Sequence, residues 1–190
     1  MAELPLLTAE QKKRLLQLAR ATVEAVAQGF DPPKITKVSN YVPYGVFVTI
    51  KRRDGQLRGC IGTFRPAPLE IMVQESAISA AFHDPRFPPV SPQELPDLVY
   101  EISILTPLEP VRSLEEIEVG RHGLVVERGW QRGLLLPQVA TEWHWDRETF
   151  LQQTCLKAGL PPDCYLDPET QVYRFEALVF GEEDERDELG

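Results

Sequence analysis

Gly45-Val46-Phe47-Val48-Thr49-Ile50-Lys51-Arg52-Arg53-Asp54-Gly55-Gln56-Leu57-Arg58-Gly59-Cys60-Ile61-Gly62 sets two β-rich runs on either side of an Asp-Gly pair. Asp54-Gly55 is the strongest short hairpin signal in the chain, because both residue types tolerate the positive φ that tight turns demand. A two-residue turn pairs Arg53 with Gln56, Lys51 with Arg58, Thr49 with Cys60 and Phe47 with Gly62. Directly opposed residues share a face of a sheet. Val48, Ile50, Leu57 and Ile61 therefore form the expected core face, and Cys60 falls on the polar face with Arg58 two positions along and Lys51 diagonally across. Two cations beside a partly exposed thiol favour the thiolate, the nucleophilic form. Gly59 and Gly62 leave room for a ligand to approach the sulfur. These faces depend on the turn length, since one extra residue reverses them.

Working outward, Thr8 and Gln11 form a capping box, and Leu15, Leu18, Thr22, Val23 and Val26 recur at helical spacing until Gly29. Asp31-Pro32-Pro33 breaks that helix. After Pro66 and Pro68, the positions Leu69, Met72, Val73, Ala77, Ala80 and Ala81 mark a second helix whose small residues suit close packing. Strands are expected at Leu98 to Thr106, Gly123 to Glu127 and Gln171 to Phe180, with a short segment at Leu114 to Ile117. Gly129 and Gly133 bracket a turn leading to Leu134-Leu135-Leu136, a second hairpin. Asp146 caps a helix through Phe150, Leu151, Cys155 and Lys157, which Gly159 stops. Strands arriving as hairpins among separate helices predict an α+β fold with a mostly antiparallel sheet and flanking helices.

The chain has 190 residues, of which 43% are hydrophobic and 26% charged, a composition that supports a buried core without staples. No apolar run approaches the ~20 residues of a membrane helix, so no membrane role is expected. Net charge is −9, and residues 181–190, an expected acidic disordered tail, carry much of it. An acidic body lacks the broad basic footprint of nucleic-acid binding. Three irregularly spaced cysteines, Cys60, Cys155 and Cys164, argue against a disulfide framework and for the reducing cytoplasm. Cys155 reads as a core residue and Cys164 as a loop thiol. No metal-ligand spacing, phosphate loop or dinucleotide fingerprint occurs, so no cofactor and no metal are predicted.

The run Leu57 to Gly62 followed by Thr63-Phe64 resembles the signature of the AMMECR domain family. Further segments agree in order and spacing: Asp84-Pro85-Arg86-Phe87-Pro88-Pro89, Glu94-Leu95, Glu101-Ile102-Ser103-Ile104-Leu105, Val119-Gly120 with His122-Gly123, Leu136-Pro137-Gln138-Val139-Ala140, Trp145-Asp146 and Lys157-Ala158-Gly159. The resemblance implies a single domain over residues 1–180, built of two intimately packed lobes around an antiparallel sheet, with a cleft near the signature. It also implies partners, a Memo-like protein related to extradiol dioxygenases and a radical S-adenosylmethionine enzyme. His83 and His144 stand where similar proteins vary.

The candidate catalytic residues are Cys60 and His122, and the candidate binding residues are Arg58, Gly59, Gly62, Thr63, Asp84, Arg86 and Glu101. Each has a plainer reading. A strand Cys is often a small apolar filler. Asp84 and Arg86 either fix their loop or orient an anion. His122 is an acid, base or ligand, or a hydrogen-bonded turn residue. Glu101 lies at a cleft or at an exposed strand end. Trp143-His144-Trp145 is a partner surface or a packing staple. Three function classes follow: a substrate-binding or specificity component serving the implied partners through a cleft at Cys60, a cysteine-dependent enzyme with Cys60 as nucleophile, and nucleic-acid or modified-base recognition by Lys51, Arg52, Arg53 and Arg58.

Overall fold

The computed structural model describes residues 4–183, an α+β architecture whose strands pair antiparallel and are flanked by helices. The chain divides into two units, a larger one of residues 4–105 with 178–183 and a smaller one of residues 106–177.

In the larger unit, α1 (Ala9–Ala27) starts where the capping box predicts: Thr8 and Gln11 satisfy each other's backbone N–H groups. It buries Leu15, Leu16, Ala19, Thr22 and Val23, the stripe its spacing requires. The hairpin β1 (Gly45–Arg52) and β2 (Leu57–Thr63) follows, then α2 (Leu69–Phe82) and, after a 3-10 turn at Pro92–Asp97, β3 (Leu98–Leu105). β1 is central, paired antiparallel with both β2 and β3. Val46, Val48 and Ile50 of β1 and Tyr100, Ile102 and Ile104 of β3 form one core with α1 and α2.

The turn differs from the expected one. Arg52 N–H donates to Gln56 O and Gly55 N–H to Arg52 O, so the loop has three residues, with Gly55 at φ +93°. A bulge then inserts Arg58 between the pairs Lys51–Leu57 and Ile50–Gly59. The extra turn residue and the extra strand residue cancel, and from Gly59 onward the expected register holds, Thr49 facing Cys60 and Phe47 facing Gly62. Between turn and bulge the faces are reversed. Leu57, expected in the core, is exposed, and Arg58, expected on the polar face, is 1% exposed.

In the smaller unit, β4 (Glu109–Pro110), β5 (His122–Arg128), β6 (Gln131–Leu135) and the first residues of β7 (Gln171–Gly181) pair antiparallel, with β5 between β6 and β7. β6 begins at Gln131, so the turn is only Gly129-Trp130, and Gly133 lies inside the strand. α3 (Pro137–Glu142), which periodicity missed, is a short helix with Pro at its first position. Asp146 caps α4 (Arg147–Lys157) as predicted, accepting from Thr149 N–H. Trp145 packs on Phe150 with ring centroids 6.4 Å apart, the staple geometry, while Trp143 stays exposed.

Two expectations fail here. Cys155 and Cys164 form a disulfide with Cα atoms 6.0 Å apart, both buried beside Val126, Ala158 and Leu160. Spacing concealed the pair because the chain turns back after Gly159 and brings Cys164, on a 3-10 turn, onto the end of α4. The pairing also removes the premise of three free thiols from the compartment argument. Reducing the bond lowers the free energy of unfolding by about 2–3 kcal/mol, the loop-closure value for a short loop, and equilibrium urea unfolding with and without reductant measures it. The expectation of disorder from residue 181, secondly, fails at its first residues. Gly181 ends β7, and Glu182 pairs with Arg20 at 2.8 Å and accepts from Tyr100 N–H; residues 184–190 lie outside the described residues.

Candidate functional site

The β1–β2 and β1–β3 registers put Cys60, Thr49 and Glu101 in one row across three adjacent strands. Side chains alternate along a strand, so this row lies on the face opposite the Val48–Ile50 core. Cys60 is partly exposed and unpaired by any disulfide. Its Sγ is 3.2 Å from Thr49 Oγ1, close enough for a hydrogen bond in either direction. Burial pushes the Cys60 thiol up; the Thr49 hydrogen bond and the Arg86 charge pull it down, and Glu101 and Asp84 add to the rise. The net direction is upward, against the thiolate activation expected from the sequence. Thr49, not among the residues expected at the site, completes the row, and the hairpin register alone sets it opposite the sulfur.

Asp84 and Arg86 hold the backbone of Cys60. β2 has β1 on one side, and on the other Asp84 Oδ2 accepts from Cys60 N–H at 3.0 Å while Arg86 Nη2 reaches Cys60 O at 3.4 Å. The two side chains thus supply, at this residue, the donor and acceptor that a further strand would. Asp84 Oδ1 also accepts from Arg86 N–H and Nε–H, each at 3.0 Å, closing the loop on itself. Burial pushes the Asp84 carboxyl up, but hydrogen bonds from Arg86 and from Cys60 N–H outweigh it and hold it at about 2. These hydrogen bonds fix the loop, which supports the structural reading of the pair.

Arg58 is not beside the sulfur as a free cation. Bulged inward, its Nε donates to Glu94 Oε1 at 2.7 Å and its Nη2 to Pro88 O at 2.7 Å, with the guanidinium 5.8 Å from the Phe87 ring centre. The Arg58 hydrogen bond draws the Glu94 carboxyl down to about 2, against burial and with help from Ser91. Glu94 was not a candidate, yet Ser91-x-x-Glu94 is a capping-box pattern legible in the sequence, and Ser91 N–H does donate to Glu94 Oε2. Arg53 Nε meanwhile donates to Pro96 O, so the expected four-cation face loses Arg58 to the interior and ties down Arg53.

The glycines serve packing. A Cβ at Gly59 would overlap the carbonyl oxygen of Ala80 in α2, and one at Gly62 would enter the Phe47 ring. The space expected for a ligand at these two residues is thus taken by protein atoms. Thr63 ends β2, and its Oγ1 accepts from Arg65 N–H at 3.3 Å in the turn that follows.

His122 belongs to the smaller unit, where it opens β5 opposite Glu176 of β7. It is 5% exposed, and its Nδ1 accepts from Glu118 N–H at 2.9 Å. Burial lowers its basicity, with Arg174 and Arg121 acting in the same direction against Glu176 and Glu118. It lines a cavity of about 200 Å³ with Thr106, Glu109, Arg121, Arg174, Phe175 and Glu176. Among the described residues no group of three or more His, Cys, Asp or Glu side chains is placed to hold a metal ion, and no helix is long and apolar enough to cross a membrane.

The sequence matches the AMMECR1 family over residues 16–180. A protein of Methanothermobacter thermautotrophicus is 51% identical, with 93% of this chain and 97% of that one covered. A Thermococcus gammatolerans protein is 50% identical, with 89% of each covered. Among solved structures, the uncharacterized protein PH0010 from Pyrococcus horikoshii superposes with a TM-score of 0.85 at 45% identity, covering 93% of this chain and 94% of that one.

Proposed function

Because this chain belongs to the AMMECR1 family, we propose that it works as a binding or specificity component that presents the Cys60 row to a substrate group while partner proteins carry out the chemistry. The observation that supports this reading is the state of the sulfur. A nucleophilic cysteine needs a stabilised thiolate, whereas burial favours the neutral thiol here and Thr49 Oγ1 stands 3.2 Å away. A neutral thiol beside a hydroxyl and in line with Glu101 offers a fixed set of hydrogen-bonding groups. Asp84 and Arg86 lock the strand that carries it, the preorganisation a recognition surface requires.

The partners in this reading are the Memo-like protein and the radical S-adenosylmethionine enzyme that the family resemblance implies. Retention of the chain on an immobilised Memo-like protein is expected to survive Cys60→Ser, which keeps a small hydrogen-bonding group, and to fail with Glu101→Lys, which reverses a charge in the row. Equal retention of both variants, or of neither, counts against a role for this face. Alkylation gives the second check. The rate of Cys60 modification by iodoacetamide stays low through neutral pH and rises only above the ordinary thiol range of about 8.5. Full reactivity at pH 7 would favour the nucleophile instead.

A further inference from the structure

We propose that the cavity beside His122 binds a small zwitterion of α-amino-acid type, its carboxylate against Arg121 and the His122 ring and its ammonium against Glu109 and Glu176. The site belongs wholly to the smaller unit and does not rest on the Cys60 reading.

The lining carries both signs in pairs. Arg174 Nε and Nη2 donate to Glu109 Oε2 at 3.4 and 3.2 Å, and its Nη1 to Glu116 O at 2.5 Å. Arg121 Nε donates to Glu176 Oε1 at 2.5 Å and its Nη1 to Glu118 Oε2 at 3.4 Å. These bonds leave one oxygen of each of Glu109 and Glu176 and the Nη2 group of Arg121 without a hydrogen bond among the described residues. His122 is oriented by the Glu118 N–H on its Nδ1, which places the proton of the neutral ring on Nε2 as a donor. Thr106 is occupied, donating to Glu176 O at 3.2 Å and accepting from Glu176 N–H at 2.8 Å, so it shapes the wall and fixes the β7 residue that carries a carboxylate.

Size and sign then select the ligand class. A volume of about 200 Å³ equals roughly seven waters at their liquid share of about 30 Å³ each. A simple anion placed there meets two carboxylates, and a simple cation meets two guanidiniums. Phe175 is the one apolar residue of the lining. A compact molecule with one charge of each sign satisfies both sets, and each charge is met by groups already held in position by their own ion pairs.

The test is a titration of the full chain followed by the imidazole nitrogen resonances. Only three histidines are present, and His122→Asn assigns the signal. Glycine, L-alanine, acetate and methylamine are the probes. A saturable shift of His122 with the amino acids, at concentrations at least about tenfold below those needed for acetate or methylamine, is the expected result. Arg121→Gln, a change at a half-exposed side chain, raises the half-saturating concentration about fivefold or more, while Arg132→Gln, whose partner is Glu127, leaves it alone. Acetate binding as well as the amino acids overturns the zwitterion assignment, and no saturable shift with any probe overturns the site. Cys60→Ser leaves this titration unchanged, so its outcome is separate from that of the binding role proposed above.

Discussion

Arg58→Ala lowers the free energy of unfolding by about 3–5 kcal/mol, the range for removing one partner of a buried ion pair. Arg58 is 1% exposed and joins β2, the Phe87-Pro88 loop and Glu94 through hydrogen bonds to Glu94 and Pro88 O. Its loss also removes the packing of a long aliphatic stem. Arg58→Met separates the two contributions, since it restores the stem without the charge and costs less than the Ala variant. The ion pair Arg65–Glu75 is a control. Arg65 is 77% exposed, and Arg65→Ala costs under about 1 kcal/mol. Acid adds a second signature. Glu94 is held at about 2, below its ordinary 4.5. A carboxylate depressed in the folded state stabilises fully above its unfolded pKa and loses that contribution as pH falls through the folded one. The gap between the parent chain and Arg58→Ala therefore narrows from about pH 4.5 down to about pH 2, because the variant lacks the depression. Urea unfolding at several pH values reads both effects. A gap that is absent at pH 7, or that stays constant into acid, would show that the pair does not hold this loop.

Gly59→Ala is the second large effect, destabilising by about 3 kcal/mol or more, at or beyond the upper end of ordinary overpacking. The added carbon meets the carbonyl of Ala80, which is helix backbone and has no rotamer to change. Relief requires moving α2 off the hairpin. For a chain of this size the change lowers the melting temperature by about 6–12 °C. Gly29→Ala provides the contrast: nothing lies within 4 Å of its new carbon, and only the positive φ of +84° resists it, about 1–2 kcal/mol of strain. Equal effects at the two sites would mean that α2 yields easily and that Gly59 is not chosen for contact.

Much of the site was readable before folding, for reasons particular residues show. The Thr49–Cys60 pairing follows from the Asp54-Gly55 turn, but it holds because the bulge at Arg58 compensates a longer loop. Two local errors cancelled at Cys60 and did not cancel at Leu57 and Arg58. Asp84 and Arg86 were recognised as a pair, while their action on the backbone of Cys60 was not legible, since it links residues 24 and 26 positions apart. Glu94 carried a local signal in Ser91-x-x-Glu94, yet nothing local says that its carboxylate also receives Arg58, 36 positions away. Cys155 and Cys164 are separated by 9 residues, and only the return of the chain after α4 makes them partners.

By itself the sequence determined the types of the longer elements, the caps at Thr8 and Asp146, the antiparallel α+β class and the family, because these depend on residues within a few positions of one another or on an ordered string of motifs. The tertiary structure decided which way Arg58 faces, what fills the space at Gly59 and Gly62, which groups raise and lower the Cys60 thiol's pKa, and which side chains surround His122. Burial and electrostatic environment are sums over neighbours brought from distant parts of the chain, and a single bulge is enough to exchange one set of neighbours for another.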